Sequence, residues 1–134
     1  MVYGAWVGMA NFYRAIIEHG TFDEYHFFAD TKMHADLLRK NISRLNANRN
    51  KIKIIGLNKL PSYLENTRYT VFFTGATDLS LSACLRNKYA NPPFFPLCGI
   101  AFQTISYPEM LKKDFFYNAL ADLYPFDSII CTSS

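Results

Sequence analysis

Gly4 and Gly8 flank Ala5, Trp6 and Val7 just ahead of a run with helical spacing. A glycine loop that opens a helix can receive a phosphate, because no β-carbon blocks the backbone and the free N–H groups of the helix start attract an anion. The same glycines could serve only to permit a tight turn, and both readings stand at this stage. Asp30 closes an apolar run about twenty residues later, where a dinucleotide-binding fold places the acid that holds a ribose. The glycine spacing is GxxxG and not GxGxxG, however, and Asp30 with Thr31 serves equally well as a helix cap. Four further polar residues, Thr77, Asp78, Gln103 and Ser106, each follow a candidate strand.

The remaining reactive residue types read as structural. His19 falls at a helix end, His26 inside a strand and His34 in a first helical turn, and no nucleophile or carboxylate partner stands out for them in the sequence. GxSxG, P-loop and HExxH patterns are missing, which argues against a self-contained hydrolase or nucleoside triphosphatase. Cys84, Cys98 and Cys131 are widely spaced and odd in number, so they are expected to be reduced, small buried hydrophobes in a cytoplasmic protein, with no metal site.

Charge excludes other classes. The 134 residues carry a net charge of only +3, and the densest basic group, Arg44, Arg49, Lys51 and Lys53, has no interleaved aromatics to stack on bases. No strong basic field argues for a nucleic-acid partner or an anionic membrane surface, and the group reads as solvated surface or as a phosphate site. Lys88 to Glu109 encloses an uncharged stretch, but Pro92, Pro93, Pro96 and Pro108 rule against a membrane helix.

These residues need a scaffold, and periodicity supplies one. Met9, Phe12, Tyr13, Ile16 and Ile17 predict a helix closed by a left-handed Gly20. Tyr25 to Ala29 predicts a strand, and Met33, Leu37, Leu38, Ile42 and Leu45 a second helix. Further strands are expected at Ile52 to Ile55, Thr70 to Thr74, Leu97 to Phe102 and Ser128 to Cys131. A short helix or turn fits Pro61 to Asn66, and a helix fits Leu81 to Tyr89 after a cap at Thr77 or Asp78. Ser106 and Glu109 form a capping box for a helix running to about Tyr124. Apolar strands alternating with helices predict an α/β fold, a doubly wound, mainly parallel, Rossmann-like sheet in a single domain. A strand ending at Tyr3 would lie near its middle, with the strands around Phe27 and Ile54 on one side and those around Phe72, Ile100 and Ile130 on the other. The chain stops just after a strand, which suggests truncation.

The whole chain, 1–134, resembles the N-terminal domain of GT-B glycosyltransferases of the family-four type. The matching segments are GAWVGMANFYRAIIEHG, FFADTKMHADLLRKN, VFFTGATD and the closing CGIAFQTISYPEMLKKDFFYNALADLYPFDSIICTSS. The last ends in the D-x-I-I-C-x-S phrase formed by Asp127, Ile129, Ile130, Cys131 and Ser133. The resemblance implies a transferase that moves a sugar from a nucleotide-sugar donor to an acceptor, without a cofactor or a divalent metal. This domain would form the acceptor side of the cleft, and a separate C-terminal domain would hold the donor. Gly4 and Gly8 would approach the donor phosphates; Thr77, Asp78, Gln103 and Ser106 would face acceptor or sugar. Gln103 stands where family members often carry a histidine, so it can bind a hydroxyl but not act as an acid or base. This piece alone is expected to be inactive. Peripheral membrane association of the full enzyme and dimerisation of the fragment are left open. The alternatives are a nucleotide- or dinucleotide-binding Rossmann module using Asp30, and a regulatory α/β interaction domain.

Overall fold

The computed structural model describes residues 3–75, 77–92, 94–101 and 108–131; for 3–9, 101, 108–111, 115 and 131 only the backbone is considered. The chain is α/β, with helices flanking parallel strands in two small sheets. It divides into two compact units, residues 10–60 and residues 61–134 with 1–9, and the divisions fall inside the first helix and at the start of the third.

In the 10–60 unit, the part of α1 (Tyr3–His19) from Ala10 onward leads to β1 (Tyr25–Ala29), α2 (Lys32–Ile42) and β2 (Ile52–Gly56). β1 and β2 pair in parallel, with Tyr25 opposite Ile52 and Ala29 opposite Gly56. Tyr25 and Phe27 face α1: the Tyr25 hydroxyl donates to the Ile16 carbonyl at 3.2 Å, and the Phe27 ring meets Tyr13 edge-on. Ile17, Ala29, Ile42 and Ile55 are buried. Thr31 caps α2 by accepting the His34 N–H, as its position predicts.

Two expectations about this region are corrected. There is no strand ending at Tyr3, because Tyr3 already belongs to α1. GxxxG spacing is also the spacing of one helical face, so the apolar period simply extends back through Gly8 and Gly4. Gly20, moreover, is not left-handed. Glycine is needed there for space: a β-carbon would sit 2.3 Å from the Ile16 carbonyl oxygen and 2.7 Å from the Tyr25 hydroxyl. Gly20→Ala is therefore expected to cost about 1–3 kcal/mol through forced movement of the helix end, read as a lower urea midpoint at unchanged slope.

In the other unit, α3 (Leu60–Asn66) precedes β3 (Phe72–Thr74), α4 (Ser80–Tyr89), β4 (Leu97–Ala101), α5 (Pro108–Leu120) and β5 (Ser128–Cys131). The sheet order is β3-β4-β5, all parallel. The strands thus fall into the two groups expected, but as two separate sheets; the strand expected to join them is absent among the described residues. Leu79, Ala83, Phe95, Leu97 and Ile100 make the core.

At the centre of this unit is a fully buried Arg86 bound bidentately to Asp127, at 2.6 and 2.8 Å. The Asp127 carboxylate also accepts the N–H groups of Leu97 and Tyr124, each at 2.8 Å, while Arg86 donates to the Phe95 carbonyl at 2.9 Å and stacks over Tyr124. One residue pair therefore ties α4 to the entries of β4 and β5. Burial alone would raise the Asp127 carboxyl, but the guanidinium and the two backbone donors outweigh it and hold the group below the usual carboxylate range. The same turn ends α5 at Leu120 and not near Tyr124, since Asp127 donates its own N–H to the Tyr124 carbonyl.

Candidate functional site

Parallel strands bring all their carboxyl ends to one edge of a sheet, and the loops there are where an α/β fold binds ligands. In the β3-β4-β5 unit that edge carries the β3–α4 loop with Thr77 and Asp78. The Thr77 hydroxyl hydrogen-bonds the Asp114 carboxylate of α5. One helical turn further on, Asn118 accepts the Leu79 N–H and donates to the Thr77 carbonyl, both at 2.8 Å. Asp78 accepts the Ser80 N–H at 2.9 Å, so it serves the start of α4 although Leu79 is the residue in the capping position.

Thr77 and Asp78 are thus brought together with Asp114 and Asn118, which the sequence reading did not single out. A four-residue spacing along a predicted helix was the available signal, but it names no partner. Two carboxylates, a hydroxyl and an amide beside the start of a helix can receive a polyhydroxyl ligand by accepting its O–H groups. Gly4 and Gly8 do not join them as a loop, because both lie within α1. Gln103, Ser106 and the capping box built on Ser106 lie outside the described residues, as does Ser133.

The β1-β2 sheet carries a histidine pair at each edge, His34 with Asp30 beyond its carboxyl ends and His26 with Glu24 at its amino end, and there the reading of the histidines is corrected. His34 Nδ1 meets the Asp30 carboxylate one helical turn back, and His26 Nε2 meets Glu24 at 3.0 Å. The hydrogen bond from His34 holds the Asp30 carboxyl below its usual range. Glu24 is lowered likewise, first by Lys53 at 2.8 Å and then by His26. Asp30 does end β1, as the ribose reading requires, but its carboxylate is engaged by an imidazole.

Cys98 is buried and takes a 3.6 Å contact from the Ser128 hydroxyl. Cys84, expected to be buried, is exposed instead, because it lines an open cleft of about 470 Å³ between α4 and α5 with Ser80, Asn87, Lys88, Tyr117 and Leu120. Among the described residues no cluster of His, Cys, Asp or Glu could hold a metal ion, and no helix is long and apolar enough to cross a membrane. The chain matches no family model, no curated protein and no solved structure.

Proposed function

We propose that the chain is the acceptor-side α/β domain of a GT-B glycosyltransferase, acting with a separate donor-binding domain. The observation that carries this reading is the build of the segment with the most telling resemblance. Residues 97–131 form strand, helix and parallel strand in that order, and Asp127, which opens the D-x-I-I-C-x-S phrase, is the buried anchor of the turn into β5. A second support is that Thr77 and Asp78, assigned to sugar contact, occur with Asp114 and Asn118 in one polar cluster at the edge where ligands bind. In this reading the domain orients the acceptor hydroxyl, and closure against the donor domain supplies the positioning that speeds transfer.

Amide chemical-shift titration with UDP- and GDP-sugars, a panel of free monosaccharides and NAD tests the assignment. Shifts centred on Thr77 to Leu79 and on Asp114 to Asn118 with a sugar ligand are expected. Saturable NAD binding centred on Asp30 and Gly56 would overturn the reading in favour of the dinucleotide module.

A further inference from the structure

The polar and apolar residues of α5 lie the wrong way round for a helix that meets only water. Asp114 and Asn118 turn inward, to Thr77 and to the start of α4. Phe116, Tyr117 and Leu120 turn outward and are 61%, 40% and 71% exposed. A solvated helix keeps polar groups on its outermost stripe, and here large apolar groups follow one another along it at helical spacing. The Phe116 and Tyr117 rings meet edge-on with their centres 6.1 Å apart, so they form one surface.

Across the cleft between the two helices, α4 continues that surface. Cys84 is exposed at the cleft wall, and Leu81, one turn before it, is 69% exposed. Together the four large side chains leave roughly 400 Å² of apolar area uncovered, taking about 150–250 Å² for a whole aromatic group. A patch of that size matches the largest on an ordinary monomer, which is often functional. It also has relief, a ridge along α5 beside the hollow of the cleft.

Charge supplies a second, independent observation. Lys113 lies one turn before Tyr117 on the same stripe, with its ammonium 5.6 Å from the centre of that ring. Asp122 lies just past the other end of α5 and lines the cleft. Both side chains are exposed, and Asn87 bonds only the main-chain carbonyl of Asp122. Among the described residues neither charge has an ionic partner. The apolar stripe thus runs from a cation to an anion with Tyr117 midway between them, and such a pattern is complementary to its own reverse.

We propose that this face is the interface of a two-fold dimer, in which α5 of each copy lies antiparallel along the α4–α5 cleft of the other. The axis passes beside Tyr117, and Lys113 of each copy reaches Asp122 of the partner subunit. An interface of ordinary size buries about 800 Å² per partner, so the patch forms its apolar centre and Lys113, Lys88 and Asp122 its rim. An apolar helix from another protein would leave both charges unmatched, whereas a second copy supplies an acid and a base in the required order. The inference concerns the side of α5 away from the sugar site and does not rest on it.

Sedimentation equilibrium of the full 134-residue chain, kept reduced so that Cys84 cannot cross-link, tests the proposal. A reversible monomer–dimer equilibrium is expected, with nothing larger because the contact closes on itself. Leu120→Ser should weaken it at least about tenfold, since the side chain is central in both copies. M33S/L37S removes comparable exposed apolar area from the other unit and should leave it unchanged. K113E and D122K each set like charges against one another and should dissociate the dimer, whereas an equimolar mixture of the two variants should restore it as a heterodimer. All these side chains are exposed, so circular dichroism should be unchanged in every variant. In a C84S background, Tyr117→Cys should form a disulfide between copies on mild oxidation, and Glu65→Cys on α3 should not. A monomer at every concentration, equal losses from L120S and M33S/L37S, or no recovery in the mixture would overturn the proposal. So would a monomer whose Tyr117 and Leu120 amides shift on addition of an amphipathic helical peptide, which would assign the face to a different protein.

Discussion

Asp127→Asn is expected to destabilise the protein by about 3–5 kcal/mol, the cost of removing one partner from a buried ion pair. Four donors converge on this side chain: both terminal nitrogens of Arg86 and the N–H groups of Leu97 and Tyr124. Each carboxylate oxygen accepts two of them. An asparagine has the same shape but turns one oxygen into an NH₂, so two donors would face a third and a buried guanidinium would lose its counter-charge. Arg86→Met should cost a similar amount by leaving the carboxylate unpaired and the Phe95 carbonyl without its donor. Marginal total stability of about 5–15 kcal/mol means that either variant could be largely unfolded at ambient temperature. Arg86→Lys, which keeps the charge but loses the two-pronged geometry, gives a milder and measurable case. In urea denaturation the double variant R86M/D127N should fall well short of the summed single losses, because the two residues act as one unit.

The same pair sets an acid dependence whose sign follows from the direction of the shift. The folded-state carboxyl of Asp127 lies below its unfolded value of about 4. Its stabilisation is therefore complete above that value and is lost as pH falls through the lower folded one. The stability gap between the wild type and D127N should be constant from neutral pH to about pH 5 and close progressively below about pH 4. A gap that widened on acidification would mean that Asp127 is not the charged partner of Arg86.

Local signals carried most of the element order, and contacts between distant residues explain what they missed. Tyr25 to Ala29 and Ser128 to Cys131 end where the sequence places them, and Gly56 closes β2, because β-branched and aromatic runs bounded by polar or glycine residues leave little choice. Thr31 is a cap in the sequence and in the structure for the same local reason. The start of α1 was misread because GxxxG suits a phosphate loop and a helical face alike. Arg86 and Asp127 are 41 residues apart, and Asn118 reaches back to Thr77 across the same separation, so no window along the chain could pair them. An arginine in a helix reads as surface from sequence; only the packing of α4 against the entries of β4 and β5 makes it fully buried. Of the candidate site, then, Thr77 and Asp78 were legible as polar residues after a strand, while the α5 residues that hold them were not.

Asn118→Ala is expected to cost about 1–3 kcal/mol, because it leaves two part-buried backbone groups, the Leu79 N–H and the Thr77 carbonyl, without their partner. The effect should be concentrated in the β3–α4 loop, since those two groups fix its path from the sheet edge to the first turn of α4. Hydrogen exchange would show it as a selective loss of protection at the Leu79 amide, with the amides of β4 little changed relative to the global shift. Asn118→Asp separates the two roles of the side chain. The carboxylate can still accept the Leu79 N–H but cannot donate to the Thr77 carbonyl, and it adds a second negative charge one turn from Asp114. It should therefore retain Leu79 protection better than Asn118→Ala while still loosening Thr77. Under the glycosyltransferase reading, both variants should weaken sugar-induced shifts at Thr77 and Asp78 more than they lower the urea midpoint, because a site whose supporting residue is lost misplaces its contacts before it unfolds. Full protection of Leu79 in Asn118→Ala would show that α5 does not hold the loop, and the polar cluster would then lose its standing as a preorganised site.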